Sequence, residues 1–144
     1  MQITREFRFD AAHRIVGHPG RCRWLHGHSY RLAVTVDAQQ LDALGMVMDF
    51  DTLRTVVRAA VLNGWDHAAL LHRDDPLVPA VAAVQAEAPE RLVLFAANPT
   101  VEVLAREAFR AIAKLLPEGV RLTGVALWET PTCSSEYRGD DGGG

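Results

Sequence analysis

Hydrophobic and polar residues alternate along residues 3–9. Ile3, Arg5, Phe7 and Phe9 point one way and Thr4, Glu6 and Arg8 the other, the period of a half-buried strand. The segment runs on into "DAAHR", which carries His13, and then into "IVGHPGRC", where two glycines and a proline mark a loop. A second alternation, Tyr30, Leu32, Val34 and Val36 against Arg31, Ala33 and Thr35, predicts a partner strand, antiparallel to the first across that long loop. The period then changes. Leu53, Val56, Val57, Ala60 and Val61 recur at helical spacing, with Asp51 as the expected N-cap and Gly64 at the expected C-terminus. A second helical stripe comprises Val101, Leu104, Ala105, Ala108, Ile112, Leu115 and Leu116. Asn98 is its expected cap, Pro99 sits in the first turn, and Pro117 and Gly119 end it. "VRLTGVALWET" returns to a strand period and shifts phase at Gly124, which predicts a bulge. A short fourth strand is expected from Cys133 to Arg138.

Between the helices, residues 72–97 read as a short helix and a short extended piece. Residues 139–144, "GDDGGG", read as a flexible tail. The order ββααββ predicts an α+β domain over residues 1–138, an antiparallel sheet with two helices on one face. Such a sheet leaves its other face and its edges uncovered, so oligomerisation that continues it across subunits is expected.

Composition narrows the function classes. The 144 residues suffice for one domain with a core, and 49% hydrophobic with 23% charged residues is the balance of a globular protein. A formal net charge of −3 offers no nucleic-acid footprint. No apolar run is long enough to span a membrane, and the N-terminus, "MQITREFRFD", lacks an apolar signal core, so a cytoplasmic location is expected. Two cysteines make no disulfide framework, and a metal-binding or catalytic use is expected of them.

The candidate chemistry lies at the strand ends. His26 and His28 are two residues apart and so share a face of the second strand, with Gly27 adding no bulk between them. Alone, such a pair is most simply two histidines in a half-buried strand. His13 at the end of the neighbouring strand changes that balance, because three converging neutral imidazoles are the ligand set of a catalytic zinc with a fourth position open. Cys22 admits three roles: a fourth ligand closing a structural site, a base or nucleophile beside an open one, or a small buried hydrophobe. Its flanking Arg21 and Arg23 argue against plain burial. Asp66 and His67 form an acid–imidazole pair suited to proton exchange, although such residues commonly just solvate a helix end. Glu129, closing an apolar strand, is either solvated or reserved for a donor-rich ligand. Glu102 is explained by the helix dipole.

The segments "FRFDAAHRI", "CRWLHGHSY", "VMDFDTLR", "WDHAALL", "NPTVEVLA" and "LWET…EYRG" resemble, in content and order, the 6-pyruvoyl-tetrahydropterin synthase family. The three residues between Cys22 and His26 resemble its bacterial 6-carboxy-tetrahydropterin synthase branch, of the queuosine pathway; the animal pyruvoyl branch has a longer gap. The resemblance implies the tunnelling fold, ββααββ subunits whose sheets join into a barrel, as trimers stacked into a hexamer with sites at subunit interfaces. It implies zinc held by His13, His26 and His28, Cys22 as the catalytic cysteine, Asp66 and His67 as a relay pair from a neighbouring subunit, and Glu129 as the pterin anchor. The implied reaction converts 7,8-dihydroneopterin triphosphate to 6-carboxy-5,6,7,8-tetrahydropterin, acetaldehyde and triphosphate. Formation of the pyruvoyl product is the alternative on the same scaffold. Two departures stand out: residues 72–97 are longer than in compact members, and Ala68 stands where some members carry a second histidine.

Overall fold

In the computed structural model, which describes residues 1–139, the two alternating segments form one long antiparallel hairpin. Strand β1 covers Gln2–His13 and β2 covers His26–Ala38, in unbroken register from Gln2 opposite Asp37 to His13 opposite His26. Both outrun their alternating stretches. Ala11, Ala12, Gly27 and Ser29 carry no hydrophobic period, yet their backbones keep pairing. Residues directly opposite share a face. Phe7 and Phe9 of β1 are buried with Tyr30, Leu32, Val34 and Val36 of β2, and the same face continues to His13, His26 and His28 at the loop end of the hairpin.

Helix α1 spans Phe50–Val57, continues through a π-helical turn at Arg58–Leu62 and ends as α2, Asn63–Trp65. Strand β3 (Ala68–His72), helix α3 (Val78–Val84) and strand β4 (Leu92–Phe95) follow, then helix α4 (Val101–Ala113) and strands β5 (Val120–Thr130) and β6 (Cys133–Tyr137). The helix and extended piece expected within residues 72–97 are α3 and β4. The sheet order is β4-β3-β1-β2-β5-β6. The antiparallel β1-β2-β5-β6 core matches the expected arrangement, and two parallel strands extend it: β3 on β1, and β4 on β3. The sheet is therefore mixed. "AALLH" shows no alternation because Ala68, Ala69, Leu70 and Leu71 are all buried, as in a strand covered on both faces.

Leu53, Val57 and Val61 join Leu104, Ala105, Ala108 and Ile112 of α4 in one core against the sheet. Both helix caps differ from expectation. Asp49, with extended backbone, accepts from the Asp51 and Thr52 amides at 2.8 and 3.1 Å, so Asp51 lies inside the first turn. Thr100 caps α4 through the Val103 amide at 3.3 Å. Asn98 instead makes two bonds to the backbone of Val16, of 3.0 and 2.9 Å. Gly64 stays helical within α2, whereas Gly119 takes φ +85° in the turn into β5, a conformation that favours glycine. The predicted bulge is present: Thr35 faces Gly124 and Val36 faces Leu122, leaving Thr123 as the extra residue. The expected tail lies outside the described residues except for Gly139. No helix among the described residues is long and apolar enough to cross a membrane.

Candidate metal centre and cleft

The register that pairs His13 with His26 also sets Ala11 opposite His28, which closes the three imidazoles into one cluster. Their ring centroids lie 4.6, 5.1 and 4.9 Å apart, and one nitrogen from each falls within 4.8 Å of the others. Gly27 lets the neighbouring strand approach closely between them. A Cβ there would stand 3.1 Å from the Ala11 carbonyl oxygen, crowding the neighbouring strand.

Backbone carbonyls settle the tautomers of two rings. His13 Nδ1 lies 2.8 Å from the Pro99 carbonyl and His26 Nδ1 2.7 Å from the Trp24 carbonyl. A carbonyl only accepts, so each Nδ1 carries the proton and each Nε2 presents a lone pair. Those two Nε2 atoms face one another at 3.1 Å. Two acceptors at that distance repel unless a cation sits between them. Two nitrogens of a tetrahedral metal with bonds of about 2.0–2.1 Å lie about 3.3 Å apart, close to what is seen. Burial pushes the His13 imidazolium pKa down to about 4, with His26 and His28 acting in the same direction. His28 is also lowered, chiefly by burial, against the opposing pull of Glu129. His13 and His28 are thus held neutral near pH 7, the form that binds metal. Geometry, tautomer and charge all fit a divalent metal ion held by His13, His26 and His28.

The cluster opens into a cleft of about 720 Å³ lined also by His18, Arg21, Cys22, Trp24, Glu129 and Cys133. Cys22 is half-buried in the Arg21–Arg23 turn and is not part of the three-histidine cluster. Glu129 reaches the cleft from the end of β5. The first turn of α4 contributes Thr100, Val101 and Glu102. The residue pattern assigns Glu102 to the helix dipole alone, gives Thr100 no site role, and marks Cys133 only through the metal-binding or catalytic use expected of the two cysteines. The "NPT" capping segment is the signal available for Thr100.

Asp66 and His67 are not brought to this cleft. His67 lines a second groove, of about 810 Å³, together with Asp10, Ser29 and residues of α3, and Asp66 is hydrogen-bonded to it. His67 holds φ +60°, a costly backbone for a non-glycine residue. Its amide donates to the Asp10 carbonyl at 2.6 Å, and its Nδ1 lies 3.0 Å from Asp66 Oδ1. Asp66 Oδ1 also accepts the Asp10 amide at 3.0 Å, which is the main reason its carboxyl stays below the usual range. With Nδ1–H given to Asp66, His67 turns Nε2 outward on a side chain that is 72% exposed. It is an oriented dyad whose groove shares His28 with the metal cleft but holds neither Cys22 nor Glu129.

Comparison with known proteins follows this geometry. The family model described as 6-pyruvoyl tetrahydropterin synthase matches residues 2–140. The chain is 34% identical over 138 residues to the 6-carboxy-5,6,7,8-tetrahydropterin synthase of Rickettsia bellii, covering 94% of this chain and 99% of that one. It is 31% identical to the protein of the same name from Haemophilus influenzae, covering 95% and 98%. Among solved structures, an uncharacterized protein of Wolinella succinogenes superposes with a TM-score of 0.79 at 25% identity, covering 97% and 98%. The 6-pyruvoyl tetrahydropterin synthase of Caenorhabditis elegans superposes at 0.72 and 22% identity, covering 97% and 96%, and supports the fold.

Proposed function

The chain belongs to the 6-pyruvoyl tetrahydropterin synthase family, and from that premise we propose that it is a zinc-dependent lyase. Its substrates in this reading are 7,8-dihydroneopterin triphosphate and one water, and its products are 6-carboxy-5,6,7,8-tetrahydropterin, acetaldehyde and triphosphate. The observation that carries the reading is the convergence of His13, His26, His28, Cys22 and Glu129 on one cleft.

His13, His26 and His28 would hold the metal, the first two through Nε2 lone pairs aimed by the Pro99 and Trp24 carbonyls. Zinc bound by neutral imidazoles keeps its full charge and supplies the Lewis acidity that makes the substrate's side-chain hydroxyls more acidic. Glu129 accepts the two parallel N–H groups of the amino-pyrimidinone edge, a bidentate match that orients the ring. Cys22, outside the metal cluster, is free to exchange a proton between ring and side chain. The Asp66–His67 dyad serves as the relay, its Nε2 carrying the proton while Asp66 holds Nδ1. Because the dyad stands in a different groove from Cys22, it acts from a neighbouring subunit of a homo-oligomer.

The test is incubation of the zinc-loaded protein with 7,8-dihydroneopterin triphosphate, with mass analysis of the pterin and assay of acetaldehyde. A 6-carboxy product with acetaldehyde is expected. A 6-pyruvoyl product assigns the alternative reaction of the family, and no consumption of substrate overturns the proposal. Cys22→Ala separates the roles of the thiol: zinc content holds while turnover falls roughly 100-fold or more. Loss of zinc from that variant indicates a closed Cys-His₃ site.

A further inference from the structure

Asp75 and His13 are the buried polar or charged residues among the described ones, and the reaction above has no use for Asp75. A carboxylate withdrawn from water is costly unless its oxygens are matched. Here they are. Arg14 Nε donates to Oδ2 at 2.7 Å and Arg14 Nη2 to Oδ1 at 2.5 Å, while the Leu77 amide adds a bond of 2.8 Å to Oδ1. The Asp75 side chain is fully covered and Arg14 is 22% exposed. The guanidinium holds the Asp75 carboxyl below the usual range, so the pair stays ionised around neutrality.

The third donor of the fork reaches further. Arg14 Nη1 donates to the Arg23 carbonyl at 3.3 Å, and Ile15, the next residue, donates its amide to the Cys22 carbonyl at 2.9 Å. Two successive carbonyls, those of Cys22 and Arg23, are thereby tied to two successive residues leaving β1. Arg14 also directly follows His13. The anchor that holds the Cys22 turn is the backbone that carries a histidine of the metal cluster. A surface arginine would do this poorly, because a mobile guanidinium loses side-chain entropy for each bond it makes. Asp75, immobile in the interior, gives it a fixed base.

We propose that the Arg14–Asp75 pair is a positioning element for Cys22, setting the thiol's place relative to the three-histidine cluster. This rests on the reading of Cys22 as the proton carrier.

Two variants test it. Arg14→Lys keeps a charge but lacks the planar fork that bridges Asp75 and the Arg23 carbonyl. Asp75→Asn keeps an acceptor for Leu77 and removes the charge. Each is made with Cys133→Ser, which leaves Cys22 as the single thiol. The rate of iodoacetamide alkylation of the native protein is measured at one pH, together with zinc content and, with the pterin triphosphate, kcat and KM. Freed from its anchor, Cys22 is expected to alkylate about fivefold faster or more, at unchanged zinc content. Misplacement of the thiol is expected to lower kcat about tenfold or more, with KM within about twofold. A purely structural salt bridge would lower stability and leave native-state alkylation alone. Parental alkylation rates in both variants overturn the proposal, whatever the pterin assay reads. If the parent fails to consume the pterin, the reaction assignment falls and the alkylation result still decides the positioning role. If Arg14→Lys does not fold, Asp75→Asn alone decides it.

Discussion

A buried imidazole that stays neutral makes the fold sensitive to pH. His13 has its pKa lowered from 6.5 to about 4, with burial the largest cause. The folded state therefore refuses a proton that the unfolded chain accepts between those values, and stability is complete above pH 6.5 and falls on acidification. The loss across that window is about 3 kcal/mol for the metal-free protein. His13→Asn keeps a donor for the Pro99 carbonyl and removes the titration, so its stability is expected to change far less with pH. Urea unfolding of both metal-free proteins at neutral pH and near pH 4.5 checks this; equal losses would contradict it. The histidine trio itself was legible, because the i, i+2 period of a strand places His26 and His28 together whatever the rest of the chain does. The tautomers were not. The Pro99 carbonyl that orients His13 lies 86 residues away in sequence.

Among the elements, the helix termini separate local signal from tertiary choice. "MDFDT" offers two aspartates, and either is an acceptable cap by residue type. The backbone chooses Asp49, whose ψ of 135° turns its carboxylate back over the first amides. Asp49→Ala is expected to cost about 1 kcal/mol. Asp51→Ala is expected to change stability by less than about 0.5 kcal/mol, because its ion pairs with Arg5 and Arg54 are exposed. Urea midpoints of the two variants compare them directly, and an equal loss would show that both aspartates cap. The same competition places Thr100 over α4 and diverts Asn98 to Val16. Strand β3 escaped the period analysis for another reason. Residues buried on both faces do not alternate, and its parallel pairing with β1, like that of β4 with β3, rests on contacts far apart in sequence.

For the whole molecule, the central fact is separation. Cys22, Glu129 and the three histidines share one cleft, while His67, bonded to Asp66, lines another that meets the first only at His28. If the relay works across a subunit boundary, two inactive variants complement each other. Oligomers co-assembled from Cys22→Ala and His67→Ala chains in equal amounts are expected to regain on the order of a quarter of the parental sites, while each homogeneous variant stays inactive. Activity assays on co-expressed, doubly tagged oligomers measure this, and no recovery in verified mixed assemblies would place the relay elsewhere.

Strand and helix periods, the long hairpin, the bulge at Gly124 and the residue types of a candidate metal site were all present in the linear order of the chain. Each depends on neighbours within a few positions, where side-chain direction follows from backbone period. The caps, the two added parallel strands, the ring tautomers, the buried Arg14–Asp75 pair and the division of candidate residues between two grooves required the folded chain. Each of these depends on which backbone groups meet after long loops close, and on which polar groups lose water when they do. Hydrophobic pattern carries no record of those encounters.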